Sequence, residues 1–224
     1  DWGIVDPDPR FVELVTSESV TAAETALADL GEAALGVYRT HVSQVAFNRR
    51  AVRKDGRIET TFLYPAAPSE VALQPIDEEL TVLSFRRASG RNILLFNYGC
   101  HPVTGGGNRE ESFYNISADY IRWIRKSAQT RHDCDVLFTL GAAGDSVPMN
   151  RGGENREYIG TSLALGGLLG ERAYLPTPSP VSIDVTTESI QVESLYHGIE
   201  EKLHRAFRSR LYPKGTCTLT IQFL

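Results

Sequence analysis

Apolar residues recur along this chain with two different periods, and the switches between them mark out its elements. Between Ser17 and Leu30, Val20, Ala23, Leu27 and Leu30 share one helical face, Ser17 or Ser19 can cap it and Gly31 stops it, which predicts a helix whose role is packing. From Ala34 to Arg50 the pattern becomes strand-like, with Leu35, Val37, Val42, Val45 and Phe47 interleaved with polar residues. Lys54-Asp55-Gly56-Arg57 reads as a turn, and residues 65–75 as an irregular connection rich in proline and alanine. Thr81 to Arg86 gives a strand, and Ala88-Ser89-Gly90-Arg91 turns it into the unbroken apolar run Asn92 to Tyr98, which suits a strand buried on both faces. Asp135 to Leu140 reads as a second buried strand. Between these two, a helix opens at residues 115–120, with Ile121, Ile124 and Ala128 on one face and Arg122, Arg125 and Lys126 outside it. Strand, helix and strand in this order predict a right-handed crossover with both strand-end loops on one edge of the sheet.

Beyond Arg151 the pattern predicts a helix over residues 158–173, a linker at Thr177-Pro178-Ser179-Pro180, and a strand over 181–193. An amphipathic helix follows over 195–211, striped by Leu195, Ile199, Leu203 and Phe207, and then a terminal strand from Cys217 to Leu224. The expected fold is α/β, a single domain over residues 1–224 with a mixed β-sheet flanked by helices.

Composition narrows the function classes. With 224 residues, 42% hydrophobic and 23% charged, the chain can bury one good core and describes an ordinary globular protein. A net charge of -5 and dispersed arginines give no footprint for nucleic acid. No apolar stretch approaches the ~20 residues that span a bilayer, which leaves only peripheral membrane contact open. Three cysteines, Cys100, Cys134 and Cys217, without Cys-x-x-Cys spacing argue against a disulfide framework and a thiolate zinc site. Each reads best as a small buried hydrophobe.

Candidate chemistry gathers where the two central strands end. The first stops at Gly99-Cys100-His101-Pro102, where proline restricts His101 and Gly99 allows close backbone approach, so the imidazole sits at a fixed point beyond the strand. The second ends in Gly141-Ala142-Ala143-Gly144-Asp145-Ser146-Val147-Pro148, whose small residues leave room beside the backbone. Thr104-Gly105-Gly106-Gly107-Asn108 can be read as an anion cradle or, more simply, as a flexible loop. His41, His197 and His204 lie at no chelating spacing and read as polar residues of their elements. Asn115-Ile116-Ser117 is formally a glycosylation sequon without a leader beside it.

Gly99-Cys100-His101-Pro102, then Ile116-Ser117-Ala118-Asp119-Tyr120, then Gly141-Ala142-Ala143-Gly144-Asp145 with Pro148, together resemble the amino-terminal catalytic domain of the neutral ceramidase family. Phe47-Asn48-Arg49-Arg50 and residues 75–83 add to the likeness, which runs from about the first helix to Arg151. The resemblance implies a zinc-dependent amidase that cleaves an N-acyl amide, a ceramide-like lipid or related substrate. It implies His101 as a zinc ligand, Asn48 and Arg49 beside the active site, and Asp145 shaping it. Arg49 would contact substrate or a developing oxyanion, and an exposed loop arginine is the equal alternative. Asp119 reads either as a carboxylate favouring the helix dipole or as a support that orients His101.

The family places a serine immediately before the proline of the acidic loop, where this chain has Val147, with Ser146 one place earlier. Ceramide specificity is therefore not implied, and Ser146 is retained as a helper. The family's other zinc ligands, a histidine, a glutamate and a tyrosine, would precede Asp1 or follow Leu224, so the chain is expected to be incomplete at both ends and inactive by itself. Two alternatives stand. One is a non-catalytic binding or structural relative. The other, further back, is a Gly-Asp-Ser serine esterase, which lacks a histidine with an aspartate three residues before it.

Overall fold

The alternation read from the sequence becomes a four-stranded mixed sheet in the computed structural model, which describes residues 8–65, 71–105, 116–172, 181–182, 185–193 and 216–223. The strands are β1 (Ala33–His41), β2 (Ala46–Asn48), β3 (Arg50–Arg53), β4 (Ile58–Thr60), β5 (Val71–Leu73), β6 (Glu79–Arg87), β7 (Asn92–Tyr98), β8 (Cys134–Leu140), β9 (Ser146–Pro148), β10 (Thr186–Glu193) and β11 (Thr216–Phe223). The helices are α1 (Pro9–Ala28), α2 (Asp119–Gln129) and α3 (Gly153–Arg172). Two compact units result, one of residues 31–179 and one of residues 1–30 with 180–224.

In the larger unit the main sheet runs β1-β6-β7-β8. The first three strands pair antiparallel, while β7 and β8 pair parallel through α2, so the expected crossover is present. Leu80, Val82, Leu94, Phe96 and Val136 line one face and are buried. They form one core with Tyr120 and Ile124 of α2 and Ile159, Leu163 and Leu168 of α3. Each large apolar side chain buried there contributes on the order of 2 kcal/mol. The alternate set is less covered: Leu83 and Leu95 are half-buried and Leu137 is 50% exposed. The expectation that β7 and β8 are buried on both faces is corrected accordingly, because the two helices share one face and β8 is an edge strand.

Glycines set how closely α3 lies on this core. A Cβ at Gly160 would fall inside contact distance of the Tyr120 carbonyl and Trp123, and one at Gly167 inside that of the Phe96 ring. Glycine costs a helix about 1 kcal/mol against alanine, which the close packing offsets. The helix begins at Gly153, five residues before the predicted start at residue 158.

The predicted strand over 34–50 is three pieces. The chain leaves β1, passes Gln44 with φ 64°, makes β2, bends at Arg49 and makes β3. β2 pairs with β9, and β3 lies between β4 and β5 in a small sheet. β5 falls inside the connection expected to be irregular. The turns at Gly56 and Gly90 take φ of 82° and 80°, which glycine tolerates without strain.

In the smaller unit α1 starts at Pro9 rather than near Ser17. The Asp8 carboxylate accepts from Arg10 N at 2.9 Å, and proline's missing N–H costs nothing at a helix start. No residue of α1 is buried, so the packing stripe expected there is exposed. β10, which begins at Thr186 where residue 181 was expected, pairs antiparallel with β11, so the terminal strand has a ladder partner along one edge. The helix predicted over 195–211, with His197 and His204, and the linker at 177–180 lie outside the described residues.

Candidate functional site

The parallel pairing of β7 and β8 brings their carboxyl ends together, and the two loops that follow touch through backbone. Gly141 N donates to Tyr98 O at 3.0 Å. A Cβ on Gly99 would stand 3.2 Å from Ala142 O, and one on Gly141 3.1 Å from Gly99 N. The room left by the small residues of the acidic loop is thus filled by the neighbouring loop. His101 N then donates to Ser146 O at 3.1 Å, which places His101 and the Asp145 loop on a common edge, as the crossover requires.

His101 is half-buried, and its imidazole makes no hydrogen bond with the described residues. Its main chain is held from behind. Cys100 is fully buried, and the Tyr120 hydroxyl donates to its carbonyl. Burial pushes the Cys100 thiol up to about 12, the charge of Asp119 adds to the rise and Ser146 opposes it.

Asn48 joins three segments. Its Nδ2 donates to Asp145 Oδ2 at 2.8 Å and to Pro75 O at 3.0 Å, while its Oδ1 accepts from Arg50 N at 2.9 Å. Arg49 reaches the same loop, with its guanidinium donating to Gly144 O at 2.7 Å and stacked over Phe62 at 5.4 Å. Its backbone N–H also donates to Asp145 O at 2.8 Å. A second arginine completes the lacing: Arg151 donates to Phe62 O at 2.8 Å and to Val103 O at 3.0 Å. Phe62, Leu63 and Tyr64 are consequently held beside the site with their side chains exposed.

Asp119 takes φ 51°, rare for a residue with a Cβ, and is 6% exposed. Its carboxylate accepts from Thr104 Oγ1 at 2.6 Å, Gly105 N at 3.1 Å and Tyr120 N at 2.8 Å. The start of the glycine loop therefore does cradle an anion, and that anion is Asp119. Its bonds reach the loop three and four residues beyond His101. Residues 106–108, and Asn115 of the sequon, lie outside the described residues.

The sequence matches no family model and no curated protein. The structure is similar to that of neutral ceramidase from Pseudomonas aeruginosa, with TM-score 0.52 and 16% identity, over 78% of this chain and 28% of that one. It is likewise similar to a ceramidase complexed with C2, with TM-score 0.51 and 17% identity, over 76% of this chain and 26% of that one. The fold is ceramidase-like. The chain spans about a quarter of the length of those structures, and at such identity the likeness is one of fold.

Within this ceramidase-like fold Ser146 turns away from solvent. It is 1% exposed on β9, opposite Asn48, and among the described residues its Oγ has no hydrogen-bond partner of ordinary geometry, although it lies close enough to Cys100 to affect that thiol. A serine esterase needs an accessible Oγ with a histidine in hydrogen-bond reach, whereas Ser146 is buried and no histidine bonds its Oγ among the described residues. Among the described residues no group of three histidine, cysteine or acidic side chains could hold a metal ion. Those residues therefore do not complete a zinc site, since Asp119 is committed to the 104–105 loop and His101 stands as a single donor. His41 ends β1, exposed, and Cys134 is buried, as expected of both. Among the described residues no helix is long and apolar enough to cross a membrane.

The sequence reading missed three organising residues. Thr104 and Arg151 sit in or beside segments it singled out, but their partners are distant in sequence. Phe62 carried no local signal.

Proposed function

We propose that this chain carries part of the active site of an amidohydrolase that cleaves an N-acyl amide, with zinc held by His101 and by donors outside the described residues. The observation that carries the reading is the meeting of the His101 and Asp145 loops on one sheet edge of a ceramidase-like fold, with the imidazole making no hydrogen bond among the described residues. Asn48, bonded to Asp145, fixes the acidic loop. Arg49 holds that loop at Gly144 O and lends positive charge beside it, where a carbonyl oxygen would gain charge. Asp119 positions the segment after His101, and Ser146 supports His101 through its carbonyl. Phe62, Leu63 and Tyr64 offer an apolar strip for the acyl chain.

The test is His101→Ala in the full-length protein, with bound zinc and hydrolysis of an N-acyl amide measured together. Loss of both is expected, since removing one of about three protein ligands lowers metal affinity steeply. A variant that kept both would overturn the reading. The single donor among the described residues favours, as second reading, a non-catalytic relative that binds an N-acyl ligand. Wild-type protein that binds such a ligand but neither zinc nor turns it over would establish that reading instead.

A further inference from the structure

Side chains alternate along β3, so Arg50 and Val52 leave one face of the small sheet while Ala51 and Arg53 leave the other. On the second face Arg53 is neutralised by Glu59. On the first face, Arg50, Val52, Ile58 and Pro75 line an open cleft of about 480 Å³ whose lining includes Asn48 and Asp145 of the candidate site.

The arginines of this part of the chain differ in one respect. Arg49 is bonded to Gly144, Arg53 to Glu59, Arg57 to Asp55 and Arg151 to Phe62 and Val103. The Arg50 guanidinium has no partner among the described residues, although its backbone is fixed by Asn48 Oδ1 at 2.9 Å and by the ladder to Thr60. A fixed root and an uncommitted five-donor fork suit it to a carboxylate. Asp145 shares the lining, and one of its carboxylate oxygens already accepts from Asn48 Nδ2. Val52 and Ile58, the last 59% exposed, continue the lining past Arg50 along the small sheet, with Gln74 and Pro75 also in it.

We propose that Arg50 makes this cleft a subsite for a carboxylate on the amine half of the substrate, so that the favoured substrates are N-acyl amino acids rather than neutral N-acyl alcohols. This rests on the N-acyl amide reading above. It also moves substrate recognition from Arg49, whose guanidinium is spent on holding the acidic loop, to its neighbour.

Two probes with the same acyl chain test it: N-octanoylglycine and N-octanoylethanolamine, compared by calorimetric binding and by hydrolysis on wild type, Arg50→Ala and Arg50→Lys. Wild type should bind the glycine conjugate about tenfold more tightly, the scale of one charge-assisted contact. Arg50→Ala should remove that preference without changing binding of the ethanolamine conjugate, and Arg50→Lys should restore part of it. Equal binding of the two probes by wild type, or an equal loss of both in Arg50→Ala, would overturn the proposal even where both are hydrolysed. An Arg50-dependent preference without hydrolysis of either by full-length protein with zinc bound would sustain the subsite and overturn the amidase.

Discussion

The main sheet and the ring of short strands around His101 are held together in different ways. Strands β6, β7 and β8 with α2 and α3 bury Leu80, Phe96, Tyr120 and Leu163 completely, so area removed from water dominates there. The ring of β2, β3, β9 and the 61–64 and 103–105 loops is joined by side chains that bond to distant backbone. Asn48 reaches Asp145 across 97 positions, Arg49 reaches Gly144 across 95, and Arg151 reaches Phe62 across 89. The first kind of cohesion is cooperative and tolerant in chemistry but not in shape. The second is directional, and each member holds a loop that another member also holds.

The largest effect that would break this contrast comes from the sheet side. Gly160→Ala should cost more than about 3 kcal/mol in denaturant unfolding, because the new methyl meets the Tyr120 backbone rather than a side chain that can move. A loss below about 1 kcal/mol would mean that α3 shifts easily and that the core is less tightly defined than its packing implies.

On the ring side Asp119→Ala should cost about 3 kcal/mol, since it removes a buried charged acceptor from Thr104, Gly105 and Tyr120. Asp119→Asn should cost clearly less, because asparagine tolerates φ 51° and keeps an acceptor. Equal losses in the two variants would shift the weight from hydrogen bonding to packing. Asn48→Ala should cost about 2 kcal/mol. A double-mutant cycle with Asp145→Ala should then give a coupling of about 1 kcal/mol, whereas strict additivity would deny the bond a role in holding the acidic loop.

The smallest effect joins the regions, since Cys100 lies in the core yet precedes His101. Its thiol is raised by burial from 9.0 to about 12, so the unfolded chain ionises first. The stability this group contributes is complete below pH 9 and lost progressively as pH rises toward about 12. Unfolding midpoints measured from pH 7 to 11 should fall above pH 9, and less steeply in Cys100→Ala. At pH 8 the folded protein should also protect Cys100 from iodoacetamide, and rapid labelling without unfolding would contradict its burial.

Legibility in the sequence divides along the same line. The run Asn92–Tyr98, the helix at Asp119 and the strand ending at Leu140 were readable because each signal is local, and their parallel crossover follows from chain handedness. Boundaries failed where a non-local or capping contact decided them. The strand expected across 34–50 breaks because β2 pairs with β9, about a hundred positions away, and α1 starts early because Asp8 caps it.

By itself, then, the sequence determined the α/β class, the crossover, and the placing of His101 and Asp145 on one edge, since periodicity and chirality act over neighbouring residues. Tertiary structure decided what each polar side chain there does. Arg49 and Arg50 are adjacent and chemically alike, yet one is bonded to Gly144 and the other opens onto a cleft. Asp119 closes on Thr104, and Ser146 turns into the core beside Cys100. The bonded partners that separate these fates lie 15 to 95 positions away. A polar side chain takes its role from which donor or acceptor the folded backbone brings within about 3 Å, and no window of sequence contains that distance.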